Sequence, residues 1–188
     1  LATVLARAGG VTITPQIAQV TVLRGNQRGK IWLEDLYSHP ELDIALRGGD
    51  RILIEEDTRS FVALGATGAQ QKVPFETKNL SALEGIAQVG GLNAGTADPT
   101  GVFVFRNEPE AVVAQVLGRN DLQGAQRMVY VLDLTKPNGM FMARDFVIRD
   151  GDTLYVTEAP FTQWSKVISS ITGSASSVNN LTSLASGS

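Results

Sequence analysis

Two copies of one ordered set of anchors run through this chain. Leu5-Ala6-Arg7-Ala8-Gly9-Gly10-Val11 is echoed by Ile86-Ala87-Gln88-Val89-Gly90-Gly91-Leu92. Val20-Thr21-Val22-Leu23-Arg24 is echoed by Val102-Phe103-Val104-Phe105-Arg106. Each copy then reaches a Gly-Asp turn that opens an apolar run, Gly49-Asp50-Arg51-Ile52-Leu53-Ile54 and Gly151-Asp152-Thr153-Leu154-Tyr155-Val156. From Gly9 to Gly90 the offset is 81 positions, from Arg24 to Arg106 it is 82, and from Asp50 to Asp152 it is 102. Three anchors in the same order in both copies imply two related modules, since self-similarity along a chain reports a repeated structural unit.

Each copy reads as alternating short strands and helices. In the first, Leu1, Val4, Leu5 and Ala8 fall at helical spacing and Gly9-Gly10 stops the helix, because glycine enters the left-handed region at little cost. A strand over Val20 to Leu23 follows, then a second strand or strand-to-turn segment over Ile31 to Leu36, and a last strand over Ile52 to Ile54. In the second copy, Phe61 to Gly65 is a strand without a counterpart in the first. Val73-Pro74-Phe75 opens a short edge strand, since proline cannot donate to a ladder. Asn79 is the expected N-cap of a helix from Leu80 to Val89, which Gly90-Gly91 ends. Strands follow over Val102 to Phe105, over Met128 to Leu134, taken as the match of Ile31 to Leu36, and over Leu154 to Val156. The second copy carries 46 positions between Arg106 and Asp152 against 26 between Arg24 and Asp50. The excess falls in Asn107 to Arg127, where Val112, Val113, Val116 and Leu117 have helical spacing. Hairpins with a helix laid across them make a small α+β architecture. The boundaries are 1–58 for a first module that reads as N-terminally truncated, 59–159 for the second with its insertion at 107–127, and 160–188 for a tail. The chain starts at Leu1 inside a helical pattern, so it reads as a fragment of a longer protein.

Composition narrows the function classes. The net charge of −3 gives no electrostatic footprint for nucleic acid. Without cysteine there is no disulfide, thiolate metal site or thiol catalysis within this chain. His39 is the sole histidine, and Ser38 and Pro40 place it in a solvated turn. Glu55-Glu56-Asp57 reads as a charged strand end, because consecutive strand residues point to opposite faces. Gly85 and Gly90-Gly91 do not make a phosphate loop, since no Lys-Ser or Lys-Thr follows. No acid pair or histidine cluster supports a polysaccharide hydrolase or lyase. Catalytic, cofactor and metal sites are therefore expected to be absent. Arg24 and Arg106 end equivalent strands, where ion pairs or solvation account for them, with contact to acidic sugars as the competing reading. Trp32 reads as part of a core.

The tail has its own pattern. From Phe161 to Ser188 the only charged residue is Lys166. Trp164, Ile168, Ile171, Ala175, Val178, Leu181 and Ala185 recur at steps of three and four, a narrow apolar stripe near heptad spacing. A helix of that length would measure roughly 40 Å at its usual rise, against about 30 Å of bilayer hydrocarbon. Alone it would set its polar face against lipid. In a ring, the stripe with Trp164, Ile168, Ile171, Val178 and Leu181 faces the membrane, and Ser170 and Ser177 face a water-filled lumen. A Ser/Gly-rich terminus also fits a flexible linker.

The repeated anchors, above all Ala6-Arg7-Ala8-Gly9-Gly10, Leu46-Arg47-Gly48-Gly49-Asp50-Arg51-Ile52 and Val147-Ile148-Arg149-Asp150-Gly151-Asp152-Thr153-Leu154-Tyr155-Val156, resemble the soluble-ligand-binding β-grasp (SLBB) domain. The tandem resembles the Wza-type outer-membrane polysaccharide export family, in its capsule-export branch, over residues 1 to about 158. The resemblance implies two β-grasp-like modules and a C-terminal amphipathic pore helix. It implies a homo-oligomeric ring in the outer membrane and periplasm of a Gram-negative bacterium, carrying polysaccharide without chemistry of its own. It also implies an inner-membrane polysaccharide co-polymerase or transporter as partner. Gly9, Gly10, Gly90, Gly91, Gly49, Asp50, Gly151 and Asp152 are then fold anchors. The export-signature domain expected upstream and the opening strand of the first copy are missing from the pattern. The alternative is a periplasmic carbohydrate- or small-ligand-binding module with a disordered tail.

Overall fold

The computed structural model describes residues 1–119 and 121–158. Trp164, Ile168, Ser170, Ile171, Ser177, Val178 and Leu181, and with them the expected tail helix, lie outside the described residues. The chain divides into two compact units, one of Leu1–Arg59 with Pro74–Asn79, the other of Ser60–Val73 with Leu80 onward. The mixed α+β class expected from the sequence is borne out.

The first unit starts with α1 (Ala2–Arg7), followed by β1 (Ala18–Arg24), β2 (Gln27–Trp32), α2 (Leu33–Ser38), a 3-10 turn (Pro40–Leu42) and β3 (Arg51–Glu56). Its sheet has the order β2-β1-β3, antiparallel throughout. Alternation decides which face is core. Ala18, Val20 and Val22 of β1 point one way and meet Leu5 of α1 and Leu33 and Leu36 of α2, with Ile52 and Ile54 of β3 packed beside them. Leu33 and Leu36 stand three apart, so both reach that face only if the backbone is helical. This corrects the strand reading of Ile31 to Leu36. The true second strand, Gln27–Trp32, is polar over its first four residues and exposed there, which suits a sheet edge and removes the apolar signal a sequence reading relies on. It also shifts the repeat alignment. Arg24 pairs with Gln27 and Arg106 with Met128, so Met128 corresponds to Gln27 and not to Ile31.

The second unit comprises β4 (Ser60–Gly65), β5 (Gln71–Pro74), β6 (Leu80–Ser81), α3 (Ala82–Gln88), β7 (Val102–Glu108), α4 (Glu110–Leu117), β8 (Gln126–Leu132), α5 (Gly139–Asp145), β9 (Val147–Ile148) and β10 (Thr153–Val156). The five-stranded sheet runs β5-β4-β10-β7-β8, with β4 and β10 parallel, while β6 and β9 form a separate two-stranded ladder. Val102, Phe103 and Val104 are fully buried, consistent with β7 lying between two neighbours. The helix cap is Ser81 instead of Asn79. Ser81 Oγ accepts from the Glu84 N–H at 3.2 Å, and Glu84 Oε2 accepts from the Ser81 N–H at 2.8 Å. This reciprocal box satisfies two donors that a lone Asn79 would leave open. Helix α5, unforeseen in the sequence, begins with Gly139, where a Cβ would stand 1.9 Å from the Asp133 carbonyl oxygen. That close approach explains a glycine in a helix's first turn.

Both glycine pairs close helices in one geometry. Gly10 N–H donates to Leu5 O at 2.9 Å and Gly9 N–H to Ala6 O at 3.2 Å; Gly91 N–H donates to Ile86 O at 2.9 Å and Gly90 N–H to Ala87 O at 3.0 Å. These are the paired long and short bonds of a Schellman end. All four glycines have positive φ, from 79° to 103°.

Candidate functional site: two arginine–aspartate clasps

Arg24 and Arg106, the last anchors of their strands, do not end in solvent. Arg24 donates from Nε to Asp50 Oδ1 at 2.9 Å, from Nη2 to Asp50 Oδ2 at 2.7 Å, and from Nη2 to the Ala45 carbonyl at 2.8 Å. Arg106 donates from Nε to Asp152 Oδ1 at 2.9 Å, from Nη2 to Asp152 Oδ2 at 2.6 Å, and from Nη2 to the Val147 carbonyl at 2.8 Å. In each, the carboxylate also accepts a backbone N–H three residues back, from Arg47 at 2.8 Å and from Arg149 at 2.7 Å. The aspartate N–H donates to that same residue's carbonyl at 3.1 Å in both. A bidentate guanidinium–carboxylate fork is strong and directional. Here it ties the end of a strand to the Gly-Asp turn that starts another strand of the same sheet. Gly49 and Gly151 supply the positive φ, 93° and 79°, that lets the turn present its aspartate.

The two clasps differ in their surroundings. The Arg24 side chain keeps 33% of its surface exposed, whereas that of Arg106 keeps 7%. Arg106 lies over the rings of Phe146 and Tyr130, at 5.0 and 5.6 Å. Two residues further along β7, Glu108 is 1% exposed. Its Oε1 accepts from the Tyr130 hydroxyl at 2.7 Å and from Arg106 Nη1 at 3.3 Å, and its Oε2 accepts from Arg149 Nη1 at 2.8 Å. Burial pushes the Glu108 carboxyl up, but Tyr130, Arg149 and Arg106 together bring it below the usual range. Burial, with the Glu108 carboxylate beside it, pushes the Tyr130 phenol upward. The carboxylates accept from fixed donors and the guanidiniums have partners, so this arrangement holds backbone in place.

Electrostatics of the first clasp give a measurable consequence. The Arg24 guanidinium and then the Arg47 N–H hold the Asp50 carboxyl down to about 2. A depressed folded value means the contribution is complete above the unfolded value, about 3.9, and is lost as pH falls towards about 2. The expected result is that the urea midpoint of the parent falls towards that of Asp50→Asn between those pH values, while the two keep a constant separation at neutral pH. A constant separation down to the lower limit would show that Asp50 is not held by Arg24.

The sequence foresaw the anchors Arg24, Asp50, Arg106 and Asp152 without joining them. Their joint signal was the same relative order in both copies, with Arg47 and Arg149 three residues ahead of each aspartate. Glu108, Tyr130 and the Asp57–Arg59 pair were missed. Asp57, taken as a charged strand end, is 8% exposed and accepts from Arg59 Nε at 3.1 and 3.0 Å. His39 is exposed at the end of α2. Among the described residues, no helix is long and apolar enough to cross a membrane.

Comparison with known proteins places these clasps in context. The SLBB domain matches residues 59–156, which contain the whole second clasp. The capsule polysaccharide export outer membrane protein CtrA of Neisseria meningitidis serogroup B is 34% identical over 190 residues, covering 95% of this chain and 48% of that protein. The capsule polysaccharide export protein BexD of Haemophilus influenzae is 33% identical over 188 residues, covering 94% of this chain and 47% of that protein. The Vi polysaccharide export protein VexA/TviF of Salmonella typhi is 34% identical over 136 residues, covering 72% of this chain and 36% of that protein. The chain spans about half the length, or less, of these curated relatives. With the domain match covering more than half of its residues, the chain belongs to the SLBB domain family, and along most of its length it is similar to outer-membrane exporters of capsule polysaccharide.

Proposed function

We propose that this chain is the β-grasp portion of an outer-membrane polysaccharide exporter, active in the outer membrane and periplasm of a Gram-negative bacterium. The observation that carries this reading is the similarity to CtrA along 95% of the chain. The near-identical clasps support a tandem of two related modules, because the same five donor–acceptor relations recur at matched positions. The role is mechanical and non-enzymatic. Rigid modules of identical subunits meet head to tail, close into a ring, and leave a polar lumen for a hydrated polymer. The tail, 160–188, supplies the pore helices in this reading, and energy comes from an inner-membrane co-polymerase or transporter.

The ring is testable on the full-length protein extracted from membranes in mild detergent. Light scattering is expected to give a closed oligomer of fixed mass across a wide concentration range. A monomer over that range would count against the ring.

A further inference from the structure

The first unit holds a cleft of about 290 Å³ bounded by Gln19, Lys30, Ile31, Trp32 and Arg59. We propose that it is a subsite for one carboxylated sugar residue of the exported polymer. This inference rests on the export reading and names the polymer class that reading leaves open.

The ladder between β1 and β2 sets Gln19 opposite Trp32 and Thr21 opposite Lys30. Alternate residues share a face, so Gln19, Trp32 and Lys30 stand together, on the side away from Val20 and Val22 of the core. Arg59 completes the wall. Its guanidinium lies between the rings of Trp32 and Phe75, at 5.1 and 4.7 Å. Nε and Nη2 are held by Asp57, and Nη2 also donates to the Lys78 carbonyl at 2.8 Å. Among the described residues, Nη1 of Arg59 has no hydrogen-bond partner, nor does the Trp32 indole N–H, and Lys30 has no ion-pair partner. Glu55, opposite Gln19 on β3, shares the face but does not line the cleft.

Gln19 adds an amide to this wall. The residue is 9% exposed, and its side-chain amide, which has no hydrogen-bond partner among the described residues, is the part that reaches the cleft. An amide open to the cleft can both donate to and accept from a ligand seated there. The cleft offers donors from Lys30, Arg59, Trp32 and Gln19 against the single side-chain acceptor of Gln19. Its occupant must therefore be rich in acceptors and negatively charged. The volume is at the small end for ligand clefts, which start at about 300 Å³. That suits one sugar ring with the chain continuing beyond it. The ring's hydroxyls meet the amide and indole N–H, and its carboxylate meets Lys30 and Arg59 in charge-assisted hydrogen bonds.

The test is NMR titration of the 188-residue chain, labelled with nitrogen-15, with sodium D-glucuronate, D-glucose and sodium sulfate as probes. Glucuronate is expected to move the Trp32 indole and Gln19 side-chain amide signals saturably. Lys30→Gln, at an exposed site, is expected to keep the backbone spectrum and weaken glucuronate about tenfold, the scale of one lost charged hydrogen bond. Glucose should bind weakly by the same margin. The proposal is overturned if neither signal moves. It is equally overturned if glucose or sulfate matches glucuronate, or if Lys30→Gln binds glucuronate like the parent. None of these failures would change surface polysaccharide in a strain lacking the protein, so the export reading stands or falls separately.

Discussion

Arg106→Met is expected to destabilise the second unit by about 3–5 kcal/mol, the usual effect of removing one partner from a buried ion pair. The methionine fills much of the same space, so the loss is electrostatic. Asp152, 1% exposed, would keep only the Arg149 N–H, and Glu108, also 1% exposed, would lose the more distant of its two guanidinium partners, at 3.3 Å, and keep Arg149 at 2.8 Å. The tie between the end of β7 and the turn before β10 would go with them. Arg24→Met removes the same bonds from the first clasp but leaves a carboxylate that water can reach past a one-third exposed partner, so its effect should be clearly smaller. Urea unfolding followed by circular dichroism compares the two. Equal midpoints for both variants would mean that burial of the second clasp adds nothing to its strength.

The contrast between these arginines was only half legible in the sequence. The anchors stood out because each position has a stereochemical requirement. A glycine pair must end a helix with positive φ, and an aspartate must reach back to its own turn. The link from Arg24 to Asp50 spans 26 positions and that from Arg106 to Asp152 spans 46, and no local pattern reports a contact at such range. Glu108 was hidden for a different reason: an acid at a strand end reads as solvated until Tyr130 and Arg149 are seen to converge on it. Strand β2 was misplaced because Gln27, Arg28 and Lys30 suit an exposed edge and carry no apolar alternation. The cleft residues Gln19, Lys30 and Trp32 lie on neighbouring strands, and Arg59 reaches them only through the Asp57 turn. Helix α4 was found because its valines repeat at helical spacing. Helix α5 was missed because it opens with glycine and is only seven residues long.

Tail variants should show the second large effect. Ile171→Asp or Val178→Asp would place a charge on the proposed lipid face, costing about 2.5–3.5 kcal/mol near the centre of a membrane helix. Each subunit of a ring carries the same change, so the penalty multiplies with subunit number. Ser170→Asp and Ser177→Asp would set the charge toward the proposed lumen, where water solvates it. The expected result is that full-length protein with the first pair of changes fails to insert in the outer membrane, whereas the second pair inserts and at most alters transport. Membrane fractionation of the four variants separates the cases. Normal insertion and export by all four would make the tail a linker and rule out the proposed pore helix.

The central claim is that this chain belongs to a machine that moves polysaccharide to the cell surface. Its most direct test is surface staining of the polymer in a strain lacking the full-length protein, with cell fractionation alongside. Surface polymer is expected to disappear, polymer to accumulate inside the cell envelope, and the restored gene to return it to the surface. Undiminished surface polysaccharide in the deletion strain would contradict the claim.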